Sequence, residues 1–481
     1  MKPTMLRTEI LIIGSGAGGA LTAAKLAEAG REVTVLEEGR WIDRDSHEPF
    51  SLGEMVSSYR NGGLSVALGR PPIAYVEGRC VGGGTEINSG LYHRPPSELL
   101  ASWSRDGVLE CESSVLDKYA EEVERSLSVS NFPGTVPAAT AVIERGAGAL
   151  GWRAVEVPRV FRYEANPDRD SDHAVKQTMT RTFIPRAVEA GARLITDCKA
   201  EQLLLRGNRV FGVAARRRRA DGTSEPIHIA ADDVFVCGGA IQTPTLLRRS
   251  GIRRNIGRGL KMHPTVKLAA RFPFVIDDHS DVPMHQVKEF APDLTLGGSA
   301  SRKGQVALSL ADSWELNASR MVDWERIAVY YASIRTDGSG RVTTFPGLSD
   351  PIVTYQLTEA DVSRLARGLV HCAELLFAAG AVELFPSITG APSLNRGADL
   401  SHLWDLVTRS RTNLMTIHLF SSVRMGENRE RTGADSYGRV WGYSNLHVND
   451  ASLLPDASGV NPQGSIMAFA ARNCEHFLAQ S

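Results

Sequence analysis

The sequence has no long apolar run, no paired cysteines and no excess of one charge. No stretch approaches the roughly 18 apolar residues of a membrane-spanning helix, so we expect no membrane span. The six cysteines are scattered along 481 residues without a C-x-x-C pair, which favours a reducing, cytoplasmic location over disulfides or zinc. Lysine plus arginine (54) nearly balances aspartate plus glutamate (55), so nothing argues for a nucleic-acid partner.

Motifs of several common enzyme classes are also missing. The sequence contains no H-E-x-x-H, no G-x-S-x-G and no Walker loop, so metalloprotease, serine-hydrolase and nucleoside-triphosphatase functions have no support. No metal site is expected. The length and the 42% of hydrophobic residues predict a large core, divided into two domains rather than one.

A dinucleotide-binding motif occupies the first forty residues. A short apolar run predicts a buried strand, and Gly-Ser-Gly-Ala-Gly-Gly (14–19) follows it in the G-x-G-x-x-G pattern. A helical stretch and a second strand come next, and that strand ends in an acidic residue placed to bind a ribose hydroxyl. Glycines let the backbone approach a pyrophosphate, and the helix N-terminus offers it unpaired N–H groups. The predicted contacts are Gly14, Gly16, Gly19 and Glu37.

A second glycine-rich stretch, GRCVGGGTEINSGLYHR, spans 78–94. Consecutive glycines allow the backbone to pack against a flat ligand, and Thr85 and Asn88 are able to hydrogen-bond its edge. Taken alone, this stretch is equally compatible with a structural loop.

Five segments in order resemble the glucose–methanol–choline (GMC) family of FAD-dependent oxidoreductases, and the resemblance runs almost end to end. They are the opening through VLEEG, the loop VGGGTEINSGLYHR, DDVFVCGGAIQTPTLLRRSGI (232–252), IGRGLKMHP (256–264) and NLHVNDASLLPDASGVNPQGSIMAFAARN (445–473). The resemblance implies an α/β fold. A Rossmann-type FAD-binding domain would be joined to a discontinuous substrate domain with a mainly antiparallel sheet backed by helices.

The same resemblance predicts how the two domains divide the chain. The FAD-binding domain would comprise 1–95, 190–262 and 430–481, and the substrate domain 96–189 and 263–429. Within the substrate domain, LTLGGSA and ERIAVYYASI predict strands, and residues 359–379 predict a helix.

FAD is the implied cofactor, with Glu37 on the adenosine ribose and Asp450 near the ribityl-phosphate. Some family members attach the flavin through a histidine immediately before the loop asparagine. Here that position is Ile87, so we predict non-covalent binding. The full set of implied cofactor-binding residues is Gly14, Gly16, Gly19, Glu37, Gly82, Gly83, Thr85, Asn88, Asp450, Pro462 and Gln463.

Alcohol oxidation needs a base for the hydroxyl proton and groups that hold the oxygen as its charge develops. In the family a histidine precedes a Met-Gly pair, and His418 in MTIHLFSSVRMG matches it. Its partner is a histidine or asparagine in the C-terminal loop, and Asn461 matches the asparagine form. Many members have Gly-Thr where this chain has Ser421 and Ser422. His263, in KMHP, is interpreted as structural.

Asn461 precedes a proline and a helical run, which allows two roles. Asparagine is favoured as a helix cap and proline at the first helical position. Alternatively, Pro462 restricts Asn461 to an extended conformation that directs its amide into the site. A side chain that caps the helix is less free to contact substrate.

The predicted function is FAD-dependent oxidation of a small-molecule alcohol (CH–OH) to an aldehyde or ketone by hydride transfer to flavin N5. Oxygen or another carrier would accept the electrons. One alternative is a flavin-containing lyase or isomerase on the same fold, with no net oxidation. Another is a nicotinamide dehydrogenase that shares only the Rossmann opening and would be colourless.

Overall fold

The computed structural model describes residues 3–43, 46–164, 173–276 and 281–480. Two short parts of the predicted substrate domain, 165–172 and 277–280, lie outside the described residues. Across the described ranges, no helix is both long enough and apolar enough to cross a membrane.

The strands are numbered in chain order. They are β1 (Thr4–Ile13), β2 (Val33–Leu36), β3 (Ser65–Ala67), β4 (Ile73–Tyr75), β5 (Val129–Ser130), β6 (Ala154–Glu156), β7 (Arg159–Glu164), β8 (His173–Lys176), β9 (Arg193–Ile195), β10 (Cys198–Arg206), β11 (Arg209–Arg218), β12 (Ser224–Val236), β13 (Arg258–Met262), β14 (Thr265–Arg271), β15 (His285–Val287), β16 (Leu294–Gly298), β17 (Ile327–Ile334), β18 (Ser339–Thr343), β19 (Ile352–Gln356), β20 (Glu383–Pro386), β21 (Leu394–Asn395), β22 (Leu414–Thr416), β23 (Leu419–Phe420) and β24 (Leu446–Val448).

The helices are numbered in the same way. They are α1 (Ala17–Glu28), α2 (Leu52–Ser58), α3 (Gly84–Ile87), α4 (Ser97–Arg105), α5 (Ser113–Ser126), α6 (Ala138–Leu150), α7 (Phe183–Glu189), α8 (Gly239–Arg249), α9 (Lys303–Leu310), α10 (Trp314–Asn317), α11 (Glu359–Ala378), α12 (Ser401–Leu406) and α13 (Gln463–Gln480).

The first sheet has the order β10-β11-β12-β1-β2-β9, with β24 paired to β12. Strands β1, β2, β9 and β12 pair in parallel, whereas β10, β11 and β12 form an antiparallel meander. The apolar end of β1 is buried, as expected of a parallel strand covered on both faces. Helix α1 ends at Glu28, and Gly30 follows with a φ of +82° and an N–H bond to the Ala27 carbonyl that closes the last turn. The predicted strand–glycine loop–helix–strand order is confirmed.

The second sheet has the order β3-β4-β22-β14-β17-β16-β15-β6. Its centre, β14-β17-β16-β15, is antiparallel, and helix α11 packs against it. The side chains alternate. Val266 and Leu268 of β14 are buried in the core beneath α11, while Thr265 and Lys267 face a cavity. The predicted strands in this region are confirmed, and the predicted helix is α11, which begins with a Thr358 capping box.

Each sheet has its own hydrophobic core, and the two cores do not follow the predicted division of the chain in every segment. Trp103 of α4 and Leu116 of α5 pack in the core of the first sheet. Ala67 of β3 and Ile73 of β4 pack in the core of the second. The domain boundaries at 95/96, 189/190, 262/263 and 429/430 stay a prediction.

Candidate active site

A cavity of about 730 Å³ lies between the two sheets, within the range typical of small-molecule sites. We call its two sides the wall and the roof. The wall consists of the glycine loops 14–18 and 83–84, the end of β2, residues 77–78 after β4, Asp450 after β24 and the start of α8. The roof is the polar face of β14, β17, β16 and β15.

The glycines of the first loop are required for two different reasons. Gly14 has a φ of +103°, and a Cβ there would lie 2.4 Å from the Cys237 carbonyl oxygen. A Cβ on Gly19 would lie 2.0 Å from the Gly14 carbonyl oxygen. Gly16 differs, because a Cβ there would project into open space along the cavity. Gly14 and Gly19 are therefore demanded by the packing of the chain itself, whereas Gly16 is not.

The N-terminus of α1 faces the cavity without a side-chain cap or an acidic residue in its first turn. Its N–H groups are thus available to an anion. The second loop lies against the first: a Cβ on Gly83 would approach the Gly16 Cα to 3.0 Å, and the Gly82 N–H donates to the Ser15 hydroxyl at 3.1 Å. The structure therefore brings Gly14, Gly16, Gly82 and Gly83 together.

Glu37 lies on the wall at the end of β2. Its carboxylate accepts hydrogen bonds from the Ser15 N–H (3.0 Å), the Ser15 hydroxyl (2.6 Å) and the Gly39 N–H (2.8 Å). Burial raises the pKa of this carboxyl, and the three donors oppose that shift. Glu37 thus ties the glycine loop to β2 as well as facing the cavity.

Asp450 and Thr85 are also engaged by the protein. Asp450 accepts from the Gly239 N–H (2.7 Å) and the Ser452 N–H (2.8 Å), and it accepts the hydroxyls of Thr243 and Ser452. The Thr85 hydroxyl donates to the Gly82 carbonyl oxygen at 2.8 Å and lines the cavity.

Asn88 and Gln463 connect the second glycine loop to the C-terminal segment. The Asn88 amide donates to the Gln463 side-chain oxygen at 2.8 Å across 375 residues of sequence. Both residues line the cavity, as does Pro462. Ile87 also lines it and has no atom able to form a bond to a flavin.

His418 and Asn461 lie side by side. His418 Nε2 is 3.4 Å from Asn461 Nδ2, and Asn461 Oδ1 accepts from the Gln286 amide at 3.3 Å. The helix-cap expectation for Asn461 is wrong. Helix α13 begins at Gln463, and the Pro462 carbonyl accepts its first hydrogen bond, from the Ile466 N–H at 2.9 Å. Pro462 is therefore the N-cap, which leaves the Asn461 amide directed at the cavity.

His263, interpreted from the sequence as structural, contacts the predicted base: its Nδ1 lies 3.1 Å from Nδ1 of His418. The Gly459 N–H donates to His263 Nε2 at 3.0 Å. A backbone amide only donates, so neutral His263 carries its hydrogen on Nδ1 and gives it to His418 Nδ1. This arrangement puts the hydrogen of neutral His418 on Nε2, opposite the Asn461 amide nitrogen, which also donates, so Gly459 and Asn461 favour opposite tautomers of the histidine pair. We call this chain of hydrogen bonds the histidine relay: Gly459, His263, His418.

Burial lowers the pKa of His418 to about 4, and the nearby positive charge of Lys288 adds to the shift. The pKa of His263 lies well below its usual value for the same reason, with His418 and Lys288 as further causes. Both imidazoles are therefore neutral near pH 7.

Ser421 occupies the position where many family members have glycine. Its φ of +69° lies in the left-handed region that glycine favours, so the turn is retained without the glycine. Ser422 donates its hydroxyl to the Ala240 carbonyl oxygen at 2.6 Å.

Sequence analysis missed the polar residues of the roof. Thr265, Ser333 and Thr295 stand opposite one another on β14, β17 and β16, and Lys267 stands opposite Tyr331. Lys288, just after β15, donates to the Thr295 hydroxyl at 3.2 Å. The signal was present as polar–apolar alternation in TVKLA and LTLGG.

The residues of the wall fit a dinucleotide cofactor. The open space at Gly16 and the uncapped N-terminus of α1 form a cradle for a pyrophosphate. A Rossmann-type sheet with such a cradle, facing a second sheet across a cavity, defines a two-domain, dinucleotide-dependent oxidoreductase.

Comparisons with known proteins identify the family. Two GMC oxidoreductase models match residues 55–265 and 337–470, and an NAD(P)-binding Rossmann-like model matches 12–42. An uncharacterized GMC-type oxidoreductase of Sinorhizobium fredii is 39% identical over 99% of this chain and 95% of its own length. A long-chain-alcohol oxidase of Arabidopsis thaliana is 27% identical over 97% of this chain and 67% of its own length.

A solved structure of pyridoxine 4-oxidase from Mesorbium loti has the same fold, with a TM-score of 0.71 at 18% identity. The match covers 98% of this chain and 99% of that one. The chain belongs to the GMC oxidoreductase family. It is an enzyme, an oxidoreductase, and its cofactor is FAD.

Proposed function

We propose that this enzyme oxidises an alcohol to an aldehyde or ketone. The observation that carries the proposal is the pair formed by His418 Nε2 and the Asn461 amide, 3.4 Å apart at the cavity between wall and roof. An imidazole and an amide placed together provide a proton acceptor and a hydrogen-bond partner for a hydroxyl group. The long-chain-alcohol oxidase relative supports the same reaction class.

The division of work between protein and cofactor follows from these residues. When bound, FAD supplies the acceptor for the hydride that leaves the carbinol carbon. His418 Nε2 would take the hydroxyl proton, and Asn461 would hold the oxygen in place. The glycine loops and the N-terminus of α1 would hold the pyrophosphate, Glu37 the adenosine ribose, and the segment from Asp450 to Gln463 the rest of the cofactor.

The histidine relay adds a condition to the base role. Accepting a proton at Nε2 requires the hydrogen of neutral His418 to be on Nδ1, the reverse of what Gly459 and His263 favour. The reversal leaves two donors without an acceptor, the Gly459 N–H and the new Nε2–H of His263, and each costs about 1–3 kcal/mol. This is small beside the barriers that enzymes lower, so the tautomer of His418 with a free Nε2 stays energetically accessible.

The decisive experiment is an anaerobic visible spectrum of the FAD-loaded enzyme before and after addition of alcohols. Bleaching of the oxidised flavin, with formation of the carbonyl product, supports alcohol oxidation. Turnover of a substrate while the flavin stays oxidised would instead identify a lyase or isomerase. Repeating the bleaching with air, and then with a quinone, as acceptor distinguishes an oxidase from a dehydrogenase.

The pKa of His418 gives a second check. Its neutral form is the competent one, and with a pKa of about 4 it is fully populated above about pH 5. We expect the flavin reduction rate at saturating neutral alcohol to be constant from pH 5 to 8 and to fall only in more acidic solution. A midpoint between pH 6 and 7, measured by stopped flow, would contradict this assignment.

A further inference from the structure

The charges that line the cavity are distributed unequally. All four acidic residues among its described lining lie on the wall: Glu37, Glu38, Glu77 and Asp450. The roof contributes Lys267 and Lys288 and no carboxylate. A ligand held between the two sides therefore meets positive charge on the roof.

The acids of the wall are already paired. Glu38 contacts Arg60 at 2.7 Å, Arg79 at 3.2 Å and Lys199 at 3.4 Å, and these cations outweigh burial to lower its pKa to about 2. Glu77 lies 3.6 Å from Arg60. These carboxylates do not reach across to the lysines of the roof.

Both lysines of the roof have N–H donors to spare, and Lys288 is the one whose charge acts on His263 and His418. Its side chain is buried, with 8% of the residue exposed, and its ammonium makes one hydrogen bond, to the Thr295 hydroxyl. An ammonium has three N–H donors, so two remain for another partner. Among the described residues, no carboxylate lies within ion-pair distance of Lys288 or Lys267. A buried cation left in this state is costly unless something binds it.

The surroundings of Lys288 place it near the reacting end of the cavity. The positive charge of Arg153 helps to lower the pKa of Lys288. The charge of Lys288 in turn helps to lower the pKa values of His93, His263 and His418. The nearby acid, Glu289, is turned away and accepts the Arg153 N–H at 3.0 Å at the surface. The backbone of Lys267 lies three strands away, about 14 Å at the usual spacing.

We propose that the alcohol substrate carries a carboxylate, which is held by the Lys288 ammonium together with the Thr295 hydroxyl. A single ammonium matches the single charge of a carboxylate, whereas a phosphate monoester carries about two negative charges. The substrate class is then a hydroxycarboxylic acid whose carboxylate and carbinol both fit between Lys288 and His418. This inference rests on the proposed alcohol oxidation and specifies its substrate.

The test compares matched substrates in matched variants. Hydroxycarboxylates of short to long chain length are each compared with the primary amide of the same acid, which has no charge. Flavin reduction by each compound is followed anaerobically. The variants are Lys288→Met, Lys288→Arg and, as a surface control on α9, Lys303→Met. A hydrogen bond between charged groups contributes about 1.5–3 kcal/mol, equivalent to about 10- to 100-fold. We expect the acid-to-amide ratio of kcat/KM to fall by that factor in Lys288→Met and to be largely retained in the other two.

A second measurement does not depend on turnover. The same acids without the hydroxyl group are added to the FAD-loaded protein, and the shift in Tm is recorded. Wild type should be stabilised and Lys288→Met should not. Equal kcat/KM values for acid and amide in wild type would overturn the proposal and leave alcohol oxidation intact. An equal loss of kcat/KM for both substrates in Lys288→Met would do the same. Carboxylate binding through Lys288 without reduction by any alcohol would instead remove the proposed function.

Discussion

The wall and the roof of the cavity use charge in opposite ways. On the wall, Glu37 and Asp450 are surrounded by donors that the protein itself supplies. On the roof, Lys288 has only the Thr295 hydroxyl. Polar groups that satisfy one another stabilise the fold, whereas a buried group with spare donors is poised for a ligand at the expense of stability. The wall is thus built as a scaffold, and the roof as a receptor.

His418 lies where the wall and the roof meet. Its loss should therefore affect turnover far more than the folding of either side. For His418→Ala we expect flavin reduction to slow by about 100- to 10,000-fold, the usual contribution of a general base. FAD content should stay close to wild type, and Tm should fall only by the cost of leaving the buried His263 donor without its acceptor, about 1–3 kcal/mol. The matched control is His402→Ala, whose imidazole is exposed on α12. Wild-type reduction rates in His418→Ala would exclude His418 from the mechanism.

Removing a scaffold carboxylate should damage the protein whether or not substrate is present. In Asp450→Ala the amides of Gly239 and Ser452 lose their acceptor, as do two hydroxyls, and each buried unpaired donor costs about 1–3 kcal/mol. We expect a loss of about 3 kcal/mol or more and poor retention of FAD, measured by thermal unfolding and by absorbance. Asp399→Ala, at an exposed position, is the control. A stable Asp450→Ala variant that retains FAD would show that this carboxylate of the wall is not needed to stabilise the fold.

Replacing Lys288, the buried cation of the roof, should raise the stability of the protein rather than lower it. Burial lowers the pKa of Lys288 from 10.5 to about 8, so the unfolded chain holds this proton more tightly than the folded one. The penalty is complete below pH 8 and vanishes as the pH rises past 10.5, and it is worth about 3 kcal/mol. Lys288→Met should therefore unfold at a higher temperature than wild type at pH 7, with a difference that shrinks toward pH 10. A lower Tm at every pH would show that Lys288 belongs to the scaffold.

Within the wall, two glycine substitutions should distinguish residues that bind the cofactor from residues that stabilise the fold, with the smallest expected effects. In Gly16→Ala the added methyl enters the open space of the cradle, whereas in Gly14→Ala it meets the Cys237 carbonyl oxygen at 2.4 Å and the backbone needs a φ of +103°. Overpacking costs about 1–3 kcal/mol. We expect Gly16→Ala to lose FAD affinity about tenfold or more at unchanged apoprotein stability, and Gly14→Ala to lose apoprotein stability. Titration of apoprotein with FAD measures the first, and thermal unfolding the second.

The wall was predictable from sequence because its motifs are local. Glycines 14 to 19, the strands beside them and Glu37 lie within forty residues, and their spacing follows from one turn and one helix. The roof was not, because the neighbours of Lys288 come from distant strands and the alternation in TVKLA does not say which face meets the cavity. His263 was missed for the same reason: its contact with His418 spans 155 residues. Such pairings follow from sheet topology, which local patterns do not encode.

The histidine relay begins at a main-chain donor, so its direction depends little on which side chain occupies that position. The Gly459 N–H is common to every residue type except proline, and its φ of +67° does not suit a proline ring. No tolerated substitution at position 459 therefore reverses the relay. Its direction is inherited with the fold, and an engineer who wants the opposite tautomer has to replace His263.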